Sequence, residues 1–256
     1  MRCCFDIISG AIMNIAKLPR LLILAAGAAW LSSAGATNLV QIDGAHTTFF
    51  YDADFWGLGA ASVLGDTISL QMRPDMNVSA SVRAGSTTAT QTQQATDSDS
   101  VGIVAVAKTG YSLTTKVGTG LNGSYFTAAK GGDVQVSLGG TIFTGYMENG
   151  AFRSQDVVTG SATYFSNASN GSAAQAGSFD VLMYSANPLT YANAIGVDNY
   201  LSTYAYQSGS GSSSLSLNAV RYEFSAVAVP EPETYAMLLG GIAVLAGVAR
   251  RRGGTA

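Results

Sequence analysis

The sequence predicts an all-β ectodomain, an antiparallel β-sandwich of about seven to ten strands, held between an apolar segment at each end. Three observations carry this. Apolar and polar residues alternate at period two in several stretches, and short turn signals rich in Gly and Asn separate those stretches. The middle of the chain also lacks a sustained 3.6-residue apolar stripe.

Composition narrows the function. The 256 residues hold 13 Lys and Arg, 16 Asp and Glu, one His and two Cys, for a formal charge of −3. A nucleic-acid binder working through a basic face is excluded, because phosphate contacts need clustered cations. A zinc site or a Cys/His dyad has too few ligands to draw on.

Residues 1–36 read as a signal peptide. Lys17 and Arg20 form a positive n-region, residues 21–31 an apolar h-region, and Ala34-Gly35-Ala36 a small-x-small site that predicts cleavage after Ala36. The h-region is too short for a bilayer core that needs about 20 helical residues. Met13 makes a better start than Met1, because the stretch before it is mostly apolar. Either way Cys3 and Cys4 leave the mature chain, which must then be stabilised without disulfides.

Residues 37–229 form the predicted sandwich, a single domain with seven Lys and Arg against thirteen Asp and Glu. Ile68, Leu70 and Met72 alternate with polar residues, as do Val134, Val136 and Leu138, so each set occupies one strand face. The run 101–107 is continuously apolar, as expected of a strand buried on both faces. Near the end, Leu215, Leu217 and Ala219 share one phase, and Val220, Tyr222, Phe224 and Ala226 the other. That flip predicts a β-bulge near Ala219–Val220. Turn signals fall at Leu121-Asn122-Gly123, Lys130-Gly131-Gly132 and Glu148-Asn149-Gly150. Three low-complexity stretches, Ser86–Ser100, Ser166–Gly177 and Gln207–Ser214, read as mobile loops, and 189–200 could hold a helical turn.

Chemistry within this domain is sparse. Asp52 and Asp54 could offer oxygens to Ca²⁺, yet an EF-hand register started at Asp52 puts Val63 where a Glu is required. Asp97 and Asp99 sit in a polar stretch where solvated charges are the ordinary reading. His46 is the sole imidazole, and a general base would need an orienting partner. A glycosidase needs only two carboxylates about 5–10 Å apart, and nothing marks such a pair. No catalytic residue, metal or cofactor is expected, and the chain reads as a non-enzyme. Aromatics crowd residues 49–56, where Tyr51, Phe55 and Trp56 could stack on sugars; core packing is the competing reading.

The C-terminal segment, 230–256, begins with Pro230-Glu231-Pro232. Residues 235–249 follow as an uncharged, mainly apolar stretch, about 22 Å long as a helix. Arg250, Arg251 and Arg252 come next and would stay cytoplasmic as an anchor. With an exported N-terminus, this predicts a transmembrane helix with the domain outside. The prolines favour extended backbone before them, which suits capture by a protease.

Tripeptide, helix and Arg run, together with the signal peptide, resemble the PEP-CTERM sorting signal. The stretch from Thr47 to about Thr144, with Phe50-Tyr51-Asp52, Gly65-Asp66-Thr67 and Gly110-Tyr111-Ser112, also looks like the ectodomain of some PEP-CTERM proteins. The resemblance implies processing by an exosortase of a Gram-negative bacterium, through a membrane-anchored intermediate, to the cell surface or beyond. It also implies a structural or adhesive role in an exopolysaccharide matrix or biofilm. A carbohydrate-binding module is the alternative, and a secreted glycosidase or other hydrolase a third reading.

Overall fold

Polar runs as well as alternating ones become strand. A computed structural model describes residues 38–229 and 232–252, apart from 58, 97–100, 170, 172 and 186–189. The predicted cleavage site at Ala34 and Ala36, the two cysteines, Pro230, Glu231, Asp97 and Asp99 lie outside the described residues. The first strands are β1 (Leu39–Asp43), β2 (Thr47–Asp52), β3 (Ala61–Leu64), β4 (Thr67–Gln71), β5 (Val78–Val82) and β6 (Thr88–Thr96). The single-turn helix α1 (Ala53–Trp56) follows β2. Then come β7 (Ile103–Ala107), β8 (Tyr111–Thr114), β9 (Gly118–Thr127), β10 (Gly132–Glu148), β11 (Ala151–Ser169) and β12 (Gln175–Tyr184). The chain closes with β13 (Tyr191–Ala192), β14 (Ala194–Val197), β15 (Tyr200–Ser208), β16 (Gly211–Glu223), β17 (Ala226–Ala228) and α2 (Pro232–Arg252).

The fold is all-β and antiparallel, and its sheets form a half-barrel. One sheet runs β1-β2-β7-β14-β10-β15-β6, with β11 on the other side of β10. A second runs β12-β9-β16-β4-β3, with β5 also on β16, and a small third runs β13-β8-β17. The two large sheets share one core. Phe49, Ile103, Val136, Leu138 and Ile195 come from the first, and Ile68, Leu70, Leu121, Leu217 and Tyr222 from the second.

Several sequence expectations hold locally. Ile68 and Leu70 lie buried on β4, and Val134, Val136 and Leu138 on β10. The register of β16 against β9 slips at Asn218, one residue before the predicted bulge. Leu215, Leu217, Val220 and Tyr222 consequently all reach the core. The Asn149-Gly150 hairpin forms with φ of 51° and 79°, the left-handed pair a two-residue turn requires.

Other expectations are corrected. The described residues hold seventeen strands rather than seven to ten, because stretches read as loops are paired. Ser86–Ser100 contains the nine-residue strand β6, whose threonines are β-branched and need no apolar phase at a sheet edge. Ser166–Gly177 and Gln207–Ser214 are largely absorbed into β11, β12, β15 and β16. Within 189–200 the described backbone includes β13 and β14, with no helical turn. Asn122-Gly123 is no turn but mid-strand: a Cβ on Gly123 would lie 2.3 Å from the Ser216 carbonyl oxygen and 2.5 Å from the Phe179 ring. The residue is glycine to let β9 and β16 approach beside the bulge.

Helix α2 begins at Pro232, earlier than the predicted 235, and ends with Arg250, Arg251 and Arg252. Proline suits a first helical turn, where its missing N–H costs nothing. Among the described residues no helix is long and apolar enough to cross a membrane. Just before this segment, β17 pairs with β8, and the Val229 amide donates to the Gly110 carbonyl at 2.8 Å.

Trp56 is 1% exposed, and its indole N–H donates to the Gly102 carbonyl at 2.9 Å. Trp56→Ala should lower unfolding stability by about 3–5 kcal/mol in urea titration. A loss below about 1 kcal/mol would show that this ring is not a core element.

Candidate functional site

Of the two readings of the aromatics at 49–56, sugar stacking and core packing, burial favours the second. Tyr51 and Trp56 are buried, and Trp56 lies edge-on to Phe55 at 4.7 Å and to Tyr222 at 6.3 Å. Phe55 is partly buried against the same core. Tyr51 and Trp56 are therefore withdrawn as sugar contacts. A single-turn helix folds the segment back on itself, so its apolar residues point inward. Asp52 is also committed: it is buried, and its carboxylate accepts the Asp54 amide at 2.9 Å as the cap of α1. Among the described residues no group of three or more His, Cys, Asp and Glu is placed to hold a metal.

His46 does have an orienting partner. Its Nδ1 lies 2.8 Å from Asp66 Oδ2, its amide donates to Asp66 Oδ1 at 2.7 Å, and the Thr47 hydroxyl donates there at 2.9 Å. Tyr111 covers the imidazole at 4.4 Å, and Lys108 Nζ donates to the Gly44 carbonyl at 2.6 Å. The cluster fastens the β1–β2 turn to the β3–β4 turn. Partial burial pushes the Asp66 carboxyl up; the hydrogen bonds from His46 and Thr47, with the imidazole charge, outweigh it and hold the carboxyl below its ordinary value. The geometry is that of a structural clasp.

The feature with binding chemistry lies at the other end of β10. The β10–β11 register breaks twice: Gly145 opposes Ser154 and Thr144 opposes Asp156, then Phe143 opposes Val157 and Ile142 opposes Thr159. Gln155 and Val158 are the extra residues of two bulges, which bend β11. Glycine at 145 permits the bend, since a Cβ there would sit 2.1 Å from the Arg153 carbonyl oxygen. Beside the bend, β13 pairs with β8 through Tyr191 and Thr114. An open cleft of about 670 Å³ results, and Tyr146, Gln155, Asp156, Val157, Tyr191 and Asn193 line it.

Tyr146 is 44% and Tyr191 64% exposed. Their faces can take the C–H side of a sugar ring. Gln155 and Asn193 can donate to and accept from its hydroxyls, and the Asp156 carboxylate can accept from them. Asp156 is the only carboxylate among the lining residues. The crowding of aromatics at 49–56 drew attention away from these two tyrosines.

Residues 228–252 match the PEP-CTERM protein-sorting motif. The chain thus carries a motif that marks an exported protein, with a membrane-anchored intermediate, processed by an exosortase. No curated protein matches the chain. Among solved structures it is similar to the VP2 subviral particle of infectious bursal disease virus, at 12% identity over 65% of this chain and 42% of that one, with a TM-score of 0.20. A structure of the Gx strain of the same virus gives 13%, 66%, 43% and 0.19. The chain spans less than half the length of these structures, and scores so low support no argument about fold or function.

Asp66→Ala should cost about 1–3 kcal/mol at neutral pH, read from urea unfolding. The folded carboxyl titrates below its unfolded value of about 3.9, so this stability is complete above that value and is lost as pH falls through the folded one. The gap between wild type and variant should therefore close in acid. A gap that stays constant down to strong acid would refute the clasp.

Proposed function

We propose that this exosortase-sorted, exported chain is a non-enzymatic component of an extracellular polysaccharide matrix, which it joins by holding sugar in the β10–β11 cleft. The pairing of exposed Tyr146 and Tyr191 with Gln155, Asp156 and Asn193 carries this reading. Stacking rings beside short polar side chains suit a ligand that is apolar on its ring faces and hydroxylated at its rim. A hydrolase is disfavoured because glycoside cleavage takes two carboxyls about 5–10 Å apart, and only Asp156 lines the cleft.

The sparse charge fits the same role. Residues 37–229 carry seven Lys and Arg against thirteen Asp and Glu, too little field to gather a polyanion from solution. Recognition would then rest on short-range stacking and hydrogen bonding, which salt scarcely weakens.

Delivery and retention can be tested separately. Replacing Pro230-Glu231-Pro232 with Gly-Ser-Gly should leave the protein unprocessed in the membrane fraction, whereas unchanged processing would count against the sorting role. Tyr146→Ala with Tyr191→Ala should weaken retention on an immobilised soluble β-glucan by about tenfold or more, the loss of roughly 1.4 kcal/mol in stacking. Unchanged retention would sink the cleft.

A further inference from the structure

A second surface, about 30 Å from the cleft along β10, has related chemistry. There β6, β15, β10 and β11 lie side by side. Leu201, Thr203 and Ala205 of β15 point into the core, as do Val134, Val136 and Leu138 of β10, leaving the alternate residues outward. The registers align these into rows across four strands. One row reads Thr92, Tyr204, Gln135 and Ser166; the next reads Gln94, Ser202, Ser137 and Tyr164.

Three details point to an occupant. Tyr204 and Tyr206 lie with rings parallel within 5° and centroids 6.5 Å apart, and Tyr164 is 62% exposed two strands away. Between Tyr164 and Tyr204 runs a groove of about 320 Å³ floored by Gln135 and Ser137. Beside it, Gln135 Nε2 donates to Asp133 Oδ2 at 3.2 Å, while Asp133 Oδ1 is buried without a hydrogen-bond partner. Among the described residues no group supplies a donor to that oxygen. The rows supply hydroxyls and amides, which donate and accept alike. Asp133 is the only charged residue among the outward positions of these rows and the one beside them, so nothing there would hold a polyanion.

We propose that this face is a second polysaccharide site, taking one extended, uncharged chain in the groove between Tyr164 and Tyr204. It rests on the reading of the protein as a matrix component and extends it. With two sites on one domain, a single molecule ties two polymer strands together.

The test is affinity electrophoresis of the full chain in detergent, through gels containing soluble mixed-linkage β-glucan or alginate. Tyr164→Ser with Tyr204→Ser, made in the Tyr146→Ala/Tyr191→Ala background, should weaken the remaining β-glucan retardation by about tenfold. The corresponding Tyr→Phe pair should keep most of it, because the rings still stack. Wild type should scatter light when mixed with β-glucan as strands are bridged, and the Tyr164→Ser/Tyr204→Ser protein should not. Retardation unaffected by the serine pair overturns the proposal, and so does alginate retardation that depends on the same tyrosines. If the cleft pair changes nothing while the face pair abolishes binding, the cleft reading fails and the face stands. Far-UV circular dichroism confirms that each outward-facing substitution leaves the sheets folded.

Discussion

The pairing of β10 with its neighbours is the constraint on which the rest depends. Seventeen residues long, β10 pairs with β11 along one side and with β15 and then β14 along the other. That fixed register sends Val134, Val136 and Leu138 inward and Asp133, Gln135 and Ser137 outward. A slip of one residue would exchange the two sets and empty the core. The same strand bears the cleft at its far end, where register is surrendered at two bulges. Core, outer face and cleft are therefore three results of one ladder.

With both cysteines confined to the N-terminal segment, burial and interior polar pairing hold this domain together. The sheets enclose hydroxyls and amides as well as alkyl groups. Thr203 donates to the Met76 carbonyl at 2.8 Å, Ser213 donates to Gln207 at 2.7 Å, and Tyr222 bonds to Asn199. Each satisfied pair removes the penalty of burying a polar group and is a demand that an alternative packing would fail to meet. The clasp of His46 and Asp66 does the same for two turns at the rim.

Legibility followed apolar contrast. Strand faces at Ile68–Leu70 and Val134–Leu138, and the bulge in β16, were readable because burial imposes a period of two and a bulge shifts its phase. β6 was not, since an edge strand of Thr and Gln has no apolar phase and looks like a disordered tract. Gly123 misled for the opposite reason: glycine serves close approach between strands as well as it serves turns. The cleft was hidden because Tyr191 comes from β13, far along the chain from the β10–β11 hairpin that carries Tyr146 and Gln155. The outer face was half visible. Tyr200, Tyr204 and Tyr206 occupy the polar phase of their strand, a position that packing alone does not explain.

The tie between the Val229 amide and the Gly110 carbonyl has a mechanical consequence. Only Pro230 and Glu231 separate it from the first residue of α2, and two residues reach about 7 Å at most. Whatever grips the chain ahead of Pro230 must first strip the three-residue strand β17 from β8, an edge ladder that opens far more readily than the core. For an enzyme that cuts ahead of Pro230, the fraying of one short strand would then set how often its substrate comes within reach.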